Sequence, residues 1–312
     1  MKNKRWTSIP VSIIFIWLSV CLVHSGDAPK TFSLTIFHSN DFHGAVPENL
    51  SRQAWIVNQE RAINPRVLFL NAGDVFTRGF YHQVFYGELE FAELNAMNLD
   101  AFTLGNNEFK ASNNTDAAQR YLFARIQQAH FPILCANIRQ EKDGEYLPGV
   151  KPFIVKVING VKIGIFGVSA NRIDTYGQSK GMVVEDQIVA AQKIFPQVKR
   201  ESDLVIALTH IGFDMDQKLA EAVSGLTVIV GGDSHTILKE PVIKNGVPIV
   251  QAGGEANQYL GRLDLTFEWV NNAWKMTRCE GKLIPLDDKV PQDPKIKAIL
   301  DGYLAAIEKK AA

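Results

Sequence analysis

Five apolar runs of strand length in this chain end on a short polar cluster, and that pattern constrains the fold more than any other feature. "FSLTIFHS" (32–39) ends at "NDFHG", "RVLFLNA" (66–72) at "GDVF", and "DAFTL" (100–104) at "GNNEF". "DLVIALTH" (203–210) closes on its own histidine, and "LTVIVGG" (226–232) leads into "DSHT". Short continuous apolar runs bounded by turn residues read as strands buried on both faces, the habit of parallel sheets. Between them lie stretches with apolar residues at helical spacing: "LSRQAWIVNQERAIN" (50–64), "ELEFAELNAMN" (88–98) and "NTDAAQRYLFARIQQAH" (114–130), the last with Thr115 or Asp116 as its cap. Strand–helix alternation of this kind predicts an α/β fold.

The later part of the chain changes character. "PFIVKVINGVKIGIFGVS" (152–169) joins two β-branched runs through Asn159-Gly160, a dipeptide that supplies the positive φ angles of a type I′ hairpin turn. "PVIKNGVPIVQAGG" (241–254) and "YLGRLDLTFEWVNNAWKMTRCEG" (259–281) read as further strands with hairpin turns, and "PKIKAILDGYLAAIEKK" (294–310) as an amphipathic closing helix. The expected architecture is two mixed sheets packed face to face with helices outside, in one domain spanning residues 26–312.

Residues 1–25 stand apart. "MKNKR" is a positive start, "VSIIFIWLSVCLV" (11–23) is almost wholly apolar, and Val23 and Ser25 have the spacing a signal peptidase reads. The apolar run falls short of the roughly 20 residues of a spanning helix. A cleaved signal peptide is the expectation, with a periplasmic or secreted product and no stable membrane span. The formal net charge of +0 gives no electrostatic case for nucleic-acid binding. Cys135 and Cys279, the cysteines outside the signal, are too few for a disulfide framework and are expected to be unpaired buried thiols.

The polar clusters carry the chemistry. In α/β sheets, ligands bind beyond the carboxyl ends of strands. Asp41 and His43, Asp74, Asn106, His210, and Asp233 with His235 would then meet on one rim. Imidazole and carboxylate donors suit Mn, Zn or Fe better than Ca. Each cluster alone reads as an ordinary turn; five in succession, each behind an apolar strand, do not.

The segments "LTIFHSNDFHG", "FLNAGDVF", "FAELNAMNLDAFTLGNNEF", "FPILCANI", "VIALTHIG", "VIVGGDSHT" and "VQAGGEANQYLGRLDL" resemble the catalytic domain of the 5′-nucleotidase family, within the calcineurin-like metallophosphoesterases. The resemblance implies a two-sheet αββα sandwich and two divalent metal ions. Asp41, His43 and His235 would bind the first metal, Asp74 would bridge, and Asn106 and His210 would bind the second. Asp233 stands where the family has a second-metal histidine, a swap that favours Mn over Zn. The implied reaction is hydrolysis of a small phosphate ester, possibly a nucleotide, by a metal-bridging hydroxide.

Two departures qualify that reading. Asn107 occupies the histidine position of the family pattern Gly-Asn-His-Glu, where a histidine assists the leaving group. An amide donates a hydrogen bond but cannot titrate. Lys110, Arg78 and His82 are the nearby polar residues that could stand in. The family's C-terminal base-binding domain has no counterpart in this sequence, so nucleotide specificity does not carry over. The same departures suit a catalytically weakened relative that binds metal and ligand, and the superfamily also includes enzymes acting on sulfur-containing groups.

Overall fold

The computed structural model describes residues 31–45, 47–77, 79–254 and 257–311. The proposed signal segment and Arg78 lie outside the described residues. In chain order the first strands and helices are β1 (Thr31–Ser39), α1 (Glu48–Ile63), β2 (Val67–Asn71), α2 (Gly79–Phe85), α3 (Glu88–Ala96), β3 (Ala101–Thr103), α4 (Thr115–Gln128), β4 (Ile133–Leu134) and β5 (Ile138–Gln140). Then come β6 (Val150–Lys151), β7 (Phe153–Ile158), β8 (Val161–Ser169), β9 (Met182–Val184), α5 (Gln187–Glu201), β10 (Leu204–His210), α6 (Phe213–Ala222) and β11 (Val228–Val230). The chain closes with β12 (Val242–Lys244), β13 (Val247–Val250), β14 (Tyr259–Val270), β15 (Ala273–Pro285) and α7 (Pro294–Ala311).

A seven-stranded sheet has the order β15-β14-β1-β2-β3-β4-β6, and a six-stranded sheet the order β12-β13-β11-β10-β8-β7. β1 to β4 and β6 run parallel to their neighbours, with β14 and β15 antiparallel on one edge. In the second sheet β8, β10, β11 and β13 are parallel, flanked by antiparallel β7 and β12. β5 and β9 form a separate antiparallel pair.

The period-2 alternation of strands explains why the core runs carry no polar face. Leu34 and Ile36, Leu68 and Leu70, Ile163 and Ile165, Ile206 and Leu208, and Val228 and Val230 share one buried cluster between the sheets. Their neighbours point the other way. Phe37 and Phe69 pack with Leu50 and Ala54 of α1, Leu94 of α3, Leu122 of α4 and Ile296 of α7. Phe166, Val205, Ala207 and Ile229 pack with Ile194 of α5 and Leu219 of α6. The result is the expected αββα sandwich.

Local details follow the sequence closely. Asn159 (φ 48°) and Gly160 (φ 81°) turn β7 into β8, and Asn245 (φ 49°) and Gly246 (φ 77°) turn β12 into β13, both with the paired positive φ of a type I′ turn. The α4 cap falls one residue before the expected pair: Asn114 Oδ1 accepts the Ala117 N–H at 2.9 Å. Cys135 is buried and Cys279 only half-buried, against the expectation of two buried thiols; neither is in a disulfide.

Candidate metal centre

The carboxyl ends of β1, β2 and β3 from one sheet and of β10 and β11 from the other open onto the same rim. The loops after β1 and β2 are tied edge to edge by backbone bonds from Asp41 N–H to Gly73 O (2.9 Å), His43 N–H to Asp74 O (3.0 Å) and Gly44 N–H to Val75 O (2.6 Å). Asp41, His43, Asp74, Asp233 and His235 all adopt left-handed backbone conformations, with φ between 51° and 83°. Such conformations cost a non-glycine residue roughly 1 kcal/mol or more each and cluster where a site demands a particular side-chain direction.

Gly73 and Gly105 are needed for that geometry. A Cβ on Gly73 (φ +85°) would lie 2.6 Å from Gly105 N, and one on Gly105 would lie 2.1 Å from Asp74 Oδ1. The β2 and β3 loops therefore touch backbone to backbone, directly beneath the Asp74 carboxylate.

Two groups of donor atoms converge: Asp41 with His43 and His235, and Asp41 with Asp74 and His210, the atoms of each group within 4.8 Å of one another. Asp41 Oδ1 lies 3.3 Å from His235 Nε2, 3.8 Å from His210 Nε2 and 4.0 Å from His43 Nε2. Asp74 Oδ2 lies 3.2 Å from His210 Nε2 and 3.9 Å from His43 Nε2. His43 Nε2 and His235 Nε2 are 3.1 Å apart. Donors that share an ion at about 2.1 Å lie roughly 3–4 Å from one another, which is this spacing. Asp41 Oδ1 is buried with no hydrogen-bond partner among the described residues, an expensive state for a carboxylate oxygen unless a cation meets it. The donor set fits divalent cations. Asp41 Oδ1 lies near donors of both groups, and so does Asp74 Oδ2, 3.9 Å from His43 Nε2 and 3.2 Å from His210 Nε2.

Second contacts fix the donors in place. The His210 ring donates from Nδ1 to Ala72 O (2.6 Å), which turns Nε2 toward the carboxylates as the nitrogen that would meet a cation. Burial lowers the His210 pKa, but Asp74, Asp41 and Asp233 outweigh it and raise it well above its ordinary value. Conversely, burial raises the Asp74 pKa, and His210 and His43 overcome it and drive it far down. Asp41 Oδ2 accepts from Asn40 Nδ2 at 2.6 Å and from the Asp233 N–H at 2.7 Å, so one carboxylate is held from both sheets.

Asn106 and Asp233 are brought to the same rim but carry a different partner. Arg172, in the short turn Asn171–Thr175 after β8, donates from Nη1 to Asp233 Oδ2 at 2.8 Å and from Nη2 to both Asp233 Oδ1 and Asn106 Oδ1. Asp233 Oδ1 is also 3.5 Å from His210 Nε2. The hydrogen bonds and charge of Asp233 raise the Arg172 pKa further, so the guanidinium is a permanent cation.

Asn107 is half-buried and turns its amide onto Asp74. Its backbone N–H and its side-chain Nδ2 both donate to the Asp74 carboxylate. Of the residues that could stand in for the missing histidine, His82 is buried and stacked on Phe76, and Lys110 lies over the Tyr176 ring at 3.8 Å.

Sequence reasoning missed several supports. Glu108 accepts backbone N–H bonds from Asp74 (2.9 Å), Val75 (2.9 Å) and Gly105 (2.6 Å); burial and the Asp74 charge push its pKa up to about 8, and the N–H groups oppose that rise. Gln251 braces the "GGDSHT" loop through Gly232 O, Ser234 Oγ and the Thr236 N–H. Glu108 stands inside "LGNNEF" and Asn40 beside "DFHG", so adjacency to a cluster was their one signal. Gln251 lay inside the segment "VQAGGEANQYLGRLDL" that carries the resemblance, and Arg172 had no signal.

The fold and this rim define a class. The profile of the calcineurin-like phosphoesterases matches residues 34–236, and the chain belongs to that family. Among curated proteins it is 29% identical over 317 residues to the trifunctional nucleotide phosphoesterase protein YfkN of Bacillus subtilis, covering 90% of this chain and 21% of that one. It is 29% identical over 322 residues to the 5′-nucleotidase of Bos taurus, covering 90% of this chain and 54% of that one. The crystal structure of the 5′-nucleotidase precursor from Thermus thermophilus superposes with a TM-score of 0.77 at 24% identity, covering 89% of this chain and 59% of that one. The chain thus spans about half the length, or less, of the curated relatives it matches.

Proposed function

We propose that this chain is an exported hydrolase of small phosphate esters, nucleotides among them, working at a pair of divalent cations. Asp41, His43, Asp74, Asn106, His210, Asp233 and His235 are the residues that would hold them. The observation that carries this reading is Asp41 Oδ1: a buried carboxylate oxygen without a hydrogen bond, ringed by three imidazoles drawn from both sheets.

Divalent cations bound there would supply Lewis-acid charge for a phosphoryl oxygen and a water made acidic enough to react near neutral pH. The chain supplies the rest. Ala72 O fixes the His210 ring. Asn40 and the Asp233 N–H fix one Asp41 oxygen and leave the other to face the imidazoles. Asn107 and Glu108 fix the β2 loop that carries Asp74. No titratable group stands at position 107, so esters with good leaving groups are the favoured substrates; general acid help is worth about 10²–10⁴-fold where the leaving group needs it. The names of the relatives, nucleotide phosphoesterase and 5′-nucleotidase, support a nucleotide as one such ester.

Export rests on the basic and apolar pattern of residues 1–25. Among the described residues no helix is long and apolar enough to cross a membrane.

The test is turnover of p-nitrophenyl phosphate and bis-p-nitrophenyl phosphate by metal-stripped protein reloaded with Mn²⁺ or Zn²⁺, beside Asp74→Ala. Metal-dependent turnover lost in the variant is expected. Stoichiometric metal binding with no turnover of either ester would instead make this a cation-binding relative without hydrolase activity.

A further inference from the structure

The two halves of the centre are not equivalent. Around Asp41 Oδ1 the near groups are imidazoles, and the described residues supply no hydrogen bond. Around Asp233 a protein cation is already in place. The planar fork of Arg172 takes both Asp233 oxygens and, through the same Nη2, Asn106 Oδ1. Those are two of the donors that the reading above gives to the second metal ion. Asp233 belongs to neither group of convergent metal-type donors.

Charge balance points the same way. One divalent cation together with the Arg172 guanidinium matches the charge of the carboxylates Asp41, Asp74 and Asp233. A second divalent cation would leave the centre with an excess of positive charge while Arg172 stays. Glu108, the further carboxyl group behind Asp74, is engaged by three peptide N–H groups. Arg172 also has somewhere to go: its side chain is 45% exposed while that of Asp233 is 9% exposed, so the guanidinium reaches in from the solvent side.

We propose that Arg172 supplies the second positive charge of this centre, so that one divalent cation binds tightly and a second binds only by displacing the guanidinium from Asn106 and Asp233. This rests on the reading that these residues hold cations. It makes Arg172 a positioning residue that sets metal stoichiometry. It also accounts for the carboxylate at 233: a bidentate carboxylate–guanidinium pair forms there, which an imidazole could not make.

The experiment is a calorimetric titration of metal-stripped protein with Mn²⁺ alone, with bound Mn²⁺ counted after desalting, for wild type, Arg172→Met and Arg172→Lys. Wild type is expected to take one Mn²⁺ tightly and a second at least tenfold more weakly. Arg172→Met should bring the second site to within a few-fold of the first. Arg172→Lys, which keeps charge but loses the fork, should fall between them. Two equally tight sites in wild type, or a second site weakened by Arg172→Met, would overturn the proposal and leave the metal-centre reading standing. No Mn²⁺ binding by any of the proteins would overturn both. Thermal melts of the metal-stripped variants that match wild type exclude misfolding as the cause of a change.

Discussion

Asn107 grips Asp74 twice: its backbone N–H meets Oδ1 at 2.8 Å and its side-chain amide meets Oδ2 at 2.5 Å. The amide is therefore spent on a carboxylate of the centre. Hydrogen bonds to ionised acceptors are roughly twice as strong as neutral ones, and partners that orient metal ligands are typically worth 10–100-fold in affinity or activity. Asn107→Ala keeps the backbone bond and loses the other. We expect Mn²⁺ affinity to fall about tenfold, at the lower end of that range, as read by calorimetric titration.

Gly105 admits no side chain. A Cβ there would sit 2.1 Å from Asp74 Oδ1 and 2.5 Å from Asp74 N, so either the carboxylate or the β2 loop must move. Gly105→Ala is expected to abolish tight metal binding and to lower the melting temperature of the metal-free protein by several degrees. A variant that melts like wild type and still binds Mn²⁺ would show that the two loops can separate without cost.

Glu108 tests the same loops from behind. Its oxygens accept three backbone N–H groups. Glutamine keeps the shape but turns one acceptor into a donor facing an N–H. An unmet buried polar group costs about 1–3 kcal/mol. Glu108→Gln should lose about that much stability in urea melts, and refolded protein should recover metal binding only in part.

How far the sequence reaches is visible in these residues. The longer strands, both Asn-Gly hairpins and the rim were legible because apolar period, turn chemistry and strand-end clusters are local signals, whereas the two- and three-residue strands β5, β6 and β9 went unread. "LGNNEF" announced Asn106 and Asn107, but not that Asn107 folds back onto Asp74 or that Glu108 turns inward to the peptide N–H groups. Those directions depend on the loop after β2, more than thirty residues earlier in the chain. Arg172 was invisible for the same reason: 61 residues of chain separate it from Asp233. The seven-residue helix α2 also went unread, because "GFYHQVF" is too short to show a helical period.

Glu90 gives a pH dependence away from the rim. It is 1% exposed, neither oxygen has a hydrogen-bond partner among the described residues, and burial pushes its pKa from 4.5 up to about 7. In the unfolded chain it loses its proton near 4.5; in the folded protein it holds on until about 7. The unfolded state therefore sheds the proton first, and stability falls as pH rises through that window. Glu90→Gln removes this loss. The variant should be more stable than wild type at pH 8, by on the order of 3 kcal/mol at most, with the gain gone at pH 4. Urea melts at the two pH values check the sign.

Asp41, Asp74 and Asn106 ride on one sheet, while His210, Asp233 and His235 ride on the other. If a cation binds these donors, its affinity and the spacing between the two sheets would be coupled. A cation held there would add a further tie to the bonds that already cross between the sheets, from the Asp233 N–H to Asp41 Oδ2, from His210 to Ala72 O and from Asn40 to Gly253 O. A methyl group removed from the buried layer between the sheets, at Ile36 or Ile206, would then be felt at the rim as a looser grip on such an ion.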